Sequence, residues 1–483
     1  MRLGAQYLGE GRCEFVVWAP FLEEVSLHIL SPKDCTLPMV RDVWGYWTTV
    51  VDEVYPGTRY MYRLGDTLER ADPASQYQPE GIFGPSEVVD HEEFPWEDGA
   101  WIGVPQEEMV MYEFHVGTFT REGTFESIIP RLGDLRDVGV NVMVLMPVSQ
   151  FPGDRNWGYD VVFPFAVQNT YGGPTGLKRL VNACHQQGIA LHLDVIYNHF
   201  SPEGTHFHEF GPYWTGVYGC PWGKVVNFDQ AYSDEVRNYF LQNALFWLRE
   251  YHIDGLRIDA VHFIFDFNSK HFLAELVERV EAFSRDQGRK YYLVAEGSWN
   301  DNRYISRKEL GGYSMDATWC DDFHHSIFAL LGGGTLGYGL DFGKTADLVK
   351  ALSEGFVYSG QYCPSLKRHF GNSTKEIPPF RLVAFIQNHD IMGNRMLGER
   401  ISDLVPFEAQ KLAAGTVLLS PYIPLLFMGE EYGEKSPFLY FVSYTQPELI
   451  EACIRGRSMD FAELLQWTGE PPNPQSEETF QKS

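Results

Sequence analysis

The chain has little of three things, and each shortage removes a class of function. Cysteine is sparse: seven residues in 483, at positions 13, 35, 184, 220, 320, 363 and 453, form no Cys-x-x-Cys and join no histidines at zinc-ligand spacing. That excludes a cysteine-based zinc site and a disulfide framework, and the odd, scattered set reads as reduced thiols. Long apolar runs are missing, since no stretch approaches the ~20 residues that span a bilayer. The N-terminal Met1-Arg-Leu-Gly-Ala-Gln6 also lacks the apolar centre of a secretory signal, so a cytoplasmic location is expected. Basic charge is short as well. With 38 Lys and Arg against 65 Asp and Glu, the formal net charge is −27, a field that repels polyphosphates. Nucleic acid and anionic membrane are excluded as partners, and a neutral ligand suits the field better.

The sequence holds two textures. Up to about residue 95, short β-rich segments (15–20, 25–30, 45–51 and 60–64) alternate with Pro, Gly and Asp punctuation, which predicts a small β-sandwich. From about residue 96 to 483, strands alternate with amphipathic helices, the pattern of βα units around a parallel sheet. Strands are expected at 109–116, 142–148, 189–195, 255–258, 291–295, 317–320, 382–387 and 423–427. Helices are expected at 125–138, with Ile128, Ile129, Leu132 and Leu135 on one face, at 176–187 with Gly188 as the stop, and at 234–251. Eight strands is the count of a (β/α)8 TIM barrel. The stretch from about 200 to 231 is too long for a short βα loop and is expected to line or cover a site.

Three carboxyl groups fall where barrel strands end: Asp259 in Gly255-Leu-Arg-Ile-Asp-Ala-Val-His262, Glu296 in Tyr291-Tyr-Leu-Val-Ala-Glu296, and Asp390 in Gln387-Asn-His-Asp390. C-terminal strand ends are where barrel enzymes gather catalytic groups. Retaining glycoside hydrolysis needs a carboxylate nucleophile and a carboxylic acid about 5 to 5.5 Å apart. Asp259 suits the nucleophile, because Arg257 lies two residues earlier on the same face of its strand and can hold the carboxylate ionised. Taken alone, Asp259 reads equally as a structural partner of that arginine. Glu296 follows apolar Leu293-Val-Ala295, which suits a raised pKa and the acid role. Asp390 would be a second anion supporting positive charge in the transition state.

Around them, His199, His262 and His389 can donate to sugar hydroxyls, although His199 and His262 taken singly read as satisfied polar residues. Tyr159 offers a ring for stacking on a sugar face, beside Asp160. Asp194 is expected to support Arg257, with Asn198 in the same segment. Glu430 and Glu431, after strand eight, read as a rim or structural pair.

These segments resemble the α-amylase superfamily of glycoside hydrolases. Its four signature segments have counterparts in order and spacing at Asp194-Val-Ile-Tyr-Asn-His199, Gly255 to His262, Val294-Ala-Glu296 and Gln387-Asn-His-Asp390. Within it, stretches such as Trp18-Ala-Pro20, Asp72-Pro-Ala-Ser75, Tyr112 to Thr120, Trp157-Gly-Tyr-Asp160, Phe210-Gly-Pro-Tyr213, Pro221-Trp-Gly223 and Gly393-Asn-Arg395 resemble the maltooligosyltrehalose trehalohydrolases over nearly the whole chain. The resemblance implies an N-terminal carbohydrate-binding-like sandwich, then a catalytic barrel with Asp259 as nucleophile, Glu296 as acid and base, and Asp390 as stabiliser. It implies Asp160, Arg257 and the three histidines as substrate contacts, and no metal or organic cofactor. The substrate would be maltooligosyltrehalose or another α-glucan. A branching or debranching enzyme, or an impaired glucan-binding protein on a dead barrel, are the competing readings. The chain departs from the pattern at Ile391, where the family has Gln, and in 361–369, where the family often has a Phe-Arg pair. It also stops at Ser483, where the family continues into a closing helix and a β domain, so a shortened barrel with exposed apolar outer face is expected.

Overall fold

The computed structural model describes residues 2–332, 337–465 and 470–483. Two antiparallel sheets come first. One runs in the order Gly4–Gly9, Arg12–Trp18, Tyr46–Asp52, Val40–Arg41; the other carries Cys35–Pro38, Val25–Ser31, Arg59–Leu64, Leu68–Arg70 and Ser86–Glu87. Phe15 of the first meets Tyr60 of the second edge-to-face at 4.9 Å, and both are fully buried, so the inner faces form a sandwich core. The β-rich runs at 15–20 and 25–30 fall in Arg12–Trp18 and Val25–Ser31, whereas Gly4–Gly9 and Cys35–Pro38, which are partly exposed, lie outside the expected runs.

Eight parallel strands then close a barrel in chain order: Met111–Phe114, Val142–Leu145, Ala190–Val195, Gly255–Ile258, Tyr292–Ala295, Ala317–Trp319, Leu382–Phe385 and Ile423–Phe427. They are called strands one to eight below. Every expected strand is present, several of them shorter than the apolar run that signalled them, because the run continues into the buried loop beyond the strand. The expected 125–138 helix is broken: Phe125–Ile128 and Leu132–Asp137 are α-helical, with a 3-10 turn at Ile129–Arg131 where Pro130 lacks the amide a continuous helix needs. Ile128, Leu132 and Leu135 are buried as their spacing requires, and Ile129 is half-buried. The next helix, Gly173–Gln186, starts earlier than expected because Pro174 is tolerated in its first turn.

The barrel interior is layered. Met111, Val142, Val144, Ala190, Val294, Val383, Phe385, Ile423 and Leu425 fill its apolar part. Above them the inward positions turn polar, with Glu113, Asp194 and Arg257 all 2% exposed or less. Register sets this layer, since Asp194 of strand three pairs directly with Arg257 of strand four. Gly255 makes room below, because a Cβ there would stand 2.7 Å from Nε2 of His192.

After strand eight the described residues contain helices Pro447–Leu465 and Glu477–Gln481 and no strand. The last helix folds back: Phe480 packs on Phe441 at 5.0 Å, and the Val442 amide donates to the Pro474 carbonyl. On the outer side of the barrel, Leu412, Leu418 and Leu419 are exposed, and Leu426 of strand eight is half-buried.

Candidate active site

Arg257 is the hub of the site. Its guanidinium is 1% exposed, and Nη1 donates to Asp194 Oδ2 (2.6 Å) and Asp259 Oδ1 (2.8 Å), while Nη2 stands 3.5 Å from Glu296 Oε2. The expected support of Arg257 by Asp194 is present. The plane also lies over Trp319 of strand six, 4.4 Å from the ring centroid, which fixes its tilt. Burial works against the charge, but Asp194, Tyr159, Asp259 and Glu296 hold the guanidinium firmly protonated.

Asp259 ends strand four with its amide on the Val195 carbonyl (3.0 Å). Asn198 Nδ2 donates to both its carbonyl and its Oδ2 at 2.9 Å, so arginine and asparagine together fix both carboxylate oxygens. The next residue, Ala260, has φ +40°, a left-handed conformation rare for alanine. That turn aims the Ala260 amide at Glu296 Oε2 (2.8 Å). Glu296 is different in character: burial raises its pKa to about 8, Arg257 opposes the rise, and Asp259, Asp321 and Asp390 add to it. Three carboxyl groups, Asp194, Asp259 and Glu296, therefore share one guanidinium, and Glu296 keeps its proton near neutrality.

The third carboxyl, Asp390, is half exposed at the start of the short His389–Gly393 helix, capped by Asn388. His389 beneath it is bonded at both ring nitrogens, Nδ1 to Glu113 Oε1 (2.6 Å) and Nε2 to Tyr159 Oη (2.7 Å); Tyr159 in turn donates to Asp194 Oδ2 (2.7 Å). With the tyrosine proton spent on Asp194, both histidine nitrogens act as donors, so the ring is an imidazolium. Burial would lower its pKa, but Asp390 and Glu113 outweigh it and raise it to about 9. One face of Tyr159 is taken by this ring, stacked at 5.1 Å and 22°. His262, by contrast, is pushed down to about 4 by burial, and its Nδ1 has no protein partner. His199 is likewise lowered by burial; its Nδ1 bonds the Asn198 side chain, and Trp222 stacks on it at 5.1 Å.

Asp259, Glu296, Asp390, Tyr159, His199, His262 and His389 line one cavity of about 650 Å³, whereas Arg257, expected as a substrate contact, and Asp194 and Asn198 are buried and do not line it. Asp160 is there too, held by Tyr444 Oη and Asn156 Nδ2 at 2.7 Å each. Glu430 and Glu431 do not line it: they accept from the Phe427 amide and Tyr112 Oη and brace the turn after strand eight.

A family model described as alpha amylase, catalytic domain matches residues 97–213, and one for carbohydrate-binding module 48, the isoamylase N-terminal domain, matches 2–75. The malto-oligosyltrehalose trehalohydrolase of Saccharolobus solfataricus is 44% identical over 476 residues, covering 99% of this chain and 82% of the relative. That of Arthrobacter ramosus is 41% identical, covering 97% and 82%. The chain belongs to the malto-oligosyltrehalose trehalohydrolase family. A crystal structure described as a putative alpha amylase from Salmonella typhimurium superposes with a TM-score of 0.93 at 39% identity, covering all of this chain and 81% of that one. A pullulanase from Anoxybacillus, at 20% identity and TM-score 0.69, shares the fold.

In this family member, some cavity walls lie outside the signature segments. The 200–231 stretch contains a hairpin, Trp214–Cys220 with Gly223–Val226, whose turn carries Trp222. The Pro447–Leu465 helix supplies Cys453, Gly456 and Arg457; its start is tied to the 200–231 stretch by Glu203, which accepts from the Thr445 and Gln446 amides. Arg457 bonds the Gly393 carbonyl and Asn394 Oδ1 at the end of the Asp390 helix. The length of the first segment signalled a role; Arg457 and Cys453 carried no signal, lying in an ordinary helical pattern. Ile391 packs against the barrel core with its amide on Asn388 Oδ1. Residues 361–369 form a small hairpin beside Trp299, in a separate cleft of about 330 Å³.

Proposed function

We propose that the chain hydrolyses the α-1,4 bond next to the terminal trehalose of maltooligosyltrehalose with retention, releasing trehalose and a shortened maltooligosaccharide. One observation carries the chemistry: a single buried guanidinium serves a fully ligated carboxylate, Asp259, and a carboxyl of raised pKa, Glu296. Asp259 attacks the anomeric carbon while Glu296 gives its proton to the departing glycosidic oxygen, so the C–O bond breaks as a glycosyl ester forms. Glu296, now a carboxylate, takes a proton from water, whose oxygen displaces Asp259 and restores both groups. Asp390, above the cationic His389, faces the oxocarbenium-like carbon. Tyr159, Asp160, His199 and His262 bind the sugar, with Asp194 and Asn198 holding Arg257 and Asp259. No metal or organic cofactor enters the scheme. The trehalose end is supported by the family relationship; the domain plan is a sandwich over residues 1–95 and a barrel over 96–483. The seven unpaired thiols support a reducing, cytoplasmic setting.

Product analysis with maltopentaose and maltotriosyltrehalose tests this. Trehalose released from the second, with little attack on the first and loss in Asp259→Ala, is the expected result. Equal attack on both, or new α-1,6 bonds in amylose without net hydrolysis, would point instead to a general hydrolase or a branching enzyme.

A further inference from the structure

Asp390 is the least firmly held of the three carboxyl groups. Its side chain is half exposed, and among the described residues its carboxylate has two protein contacts, both long: Asn394 Nδ2 donates to Oδ1 at 3.4 Å, and His389 Nε2 stands 3.4 Å from Oδ2. Asp259, by contrast, is bonded at both oxygens within 2.9 Å. Whatever fixes Asn394 and His389 therefore fixes Asp390. His389 is gripped inside the barrel by Glu113, which accepts from both its amide (2.9 Å) and its ring Nδ1 (2.6 Å). Asn394 is held from the other side, by Arg457.

Arg457 stands on the Pro447–Leu465 helix after strand eight, and among the described residues lining the cavity it is the only arginine or lysine. Three contacts define its guanidinium. Nη1 donates to Asn394 Oδ1 at 2.9 Å, Nη2 donates to the Gly393 carbonyl, and the plane lies over Tyr440, 5.1 Å from the ring centroid. A guanidinium is a donor only, so the Asn394 oxygen must face it; the amide nitrogen is thereby turned to Asp390, which is an acceptor. Reaching a main-chain carbonyl and a side-chain oxygen with one planar fork is a geometry that lysine does not supply. The surface behind the contact is firm. Gly393 lies against the Trp157 ring, where no Cβ would fit, and Trp157 Nε1 is bonded to the Leu439 carbonyl (2.9 Å). Asn388 caps the opposite end of the same short helix through the Ile391 amide, so the segment that carries Asp390 is clamped at both ends.

We infer that Arg457 positions Asp390 for the reaction by locking the Asn394 amide toward it, so that the helix after strand eight takes part in setting the catalytic geometry. The assignment rests on the functional reading above. Arg457 is a positioning residue in it: two of its donors are spent on the end of the Asp390 helix, and it acts on the sugar through Asp390.

Steady-state kinetics of Arg457→Met, Asn394→Ala and the double variant test this on two substrates, maltotriosyltrehalose and α-maltosyl fluoride. Asp390 serves the anomeric carbon that both substrates present, so both should be affected alike. Misplacing a catalytic group by about 1 Å can cost roughly 100-fold. Each single variant should lose about 10- to 100-fold in kcat, with KM within about threefold of wild type. The double variant should lie within about twofold of the slower single one, because both substitutions break the same connection. Added guanidinium ion should restore part of the lost kcat to Arg457→Ala, while sodium chloride at equal concentration should not. Melting temperatures should stay close to wild type, since the bonds removed lie in the open cavity. A raised KM with kcat kept would make Arg457 a direct substrate contact, and losses that multiply in the double variant would show the two residues acting independently. Either overturns the inference, as does a wild-type kcat in Arg457→Met. A wild type that hydrolyses the fluoride but releases no trehalose sinks the trehalose reading alone, and the variants are then judged on the fluoride; a wild type inert on both substrates sinks the two together.

Discussion

If Glu296 is the acid, its proton sets the alkaline side of activity, and replacing it removes that limb. With a pKa of about 8, the carboxyl is roughly nine-tenths protonated at pH 7 and about one-tenth protonated at pH 9. An ordinary glutamate near 4.5 would be only about 0.3% protonated at pH 7. Burial thus raises the competent fraction about 300-fold, equivalent to roughly 5 kcal/mol of proton affinity at about 1.4 kcal/mol per unit. Wild-type kcat/KM on maltotriosyltrehalose should fall about tenfold from pH 7 to pH 9. Glu296→Gln should lose about 10²- to 10⁴-fold at pH 7, the usual contribution of a positioned acid, and its residual rate should show no alkaline limb near 8. His389, raised to about 9, also titrates in that region, so the variant is needed to tell the two apart. A wild-type alkaline midpoint below about 6, or a limb near 8 that survives in Glu296→Gln, would refute the reasoning.

Two further substitutions probe the charge networks. Arg257→Met keeps the volume over Trp319 but leaves Asp194 and Asp259 without their cation, so unfolding stability should drop by about 3–5 kcal/mol at pH 8, and by less at pH 5, below the value of about 7 to which burial raises Asp194; urea titrations at the two pH values measure the difference. At the opposite end of the barrel, His185 lies buried between Asp98 (2.8 Å) and Asp254 (2.9 Å). Burial lowers its pKa, but the two carboxylates prevail and raise it. Its stabilisation is therefore fully present below the unfolded value of about 6.5 and is lost as pH rises through the folded value. His185→Gln should be destabilised most near pH 6 and progressively less above neutrality, and a deficit that grows with pH in thermal melts would contradict the sign.

Much of this was legible in the sequence, for physical reasons. A buried parallel strand leaves a continuous apolar run, so Leu382–Phe385 and Ile423–Phe427 announce themselves without homology. Asp259 and Glu296 stand out because a charge directly follows the last apolar residue of the strand, and Asp390 because Gln387-Asn-His-Asp390 turns polar at once after the run. Glu113 does not: Met111-Tyr-Glu-Phe114 puts its charge inside the strand, where only barrel closure against strands two and eight shows that it points inward to His389. Asp321 hides for another reason. In Cys320-Asp-Asp-Phe323 both acids look like first-turn helix residues, and nothing local says that one would be bonded internally and the other left facing the cavity. Trp222 and Arg457 reach the site from segments whose positions depend on tertiary packing through Glu203 and Asn394.

The polar layer these residues form explains why the site needs more than three acids. Along the path from Glu113 through His389, Tyr159, Asp194 and Arg257 to Asp259, each cation lies between anions, and the tyrosine proton links the halves. An imidazolium and a guanidinium buried on a barrel axis would each be unfavourable alone. Paired in series they are tolerated, and they hold Asp259 and the base of Asp390 at fixed positions before substrate arrives. Glu296 touches this path only at 3.5 Å from Arg257, with a backbone amide on one oxygen. Burial raises the Glu296 pKa to about 8 against the opposition of the arginine, and Asp259 is bonded at both oxygens by Arg257 and Asn198.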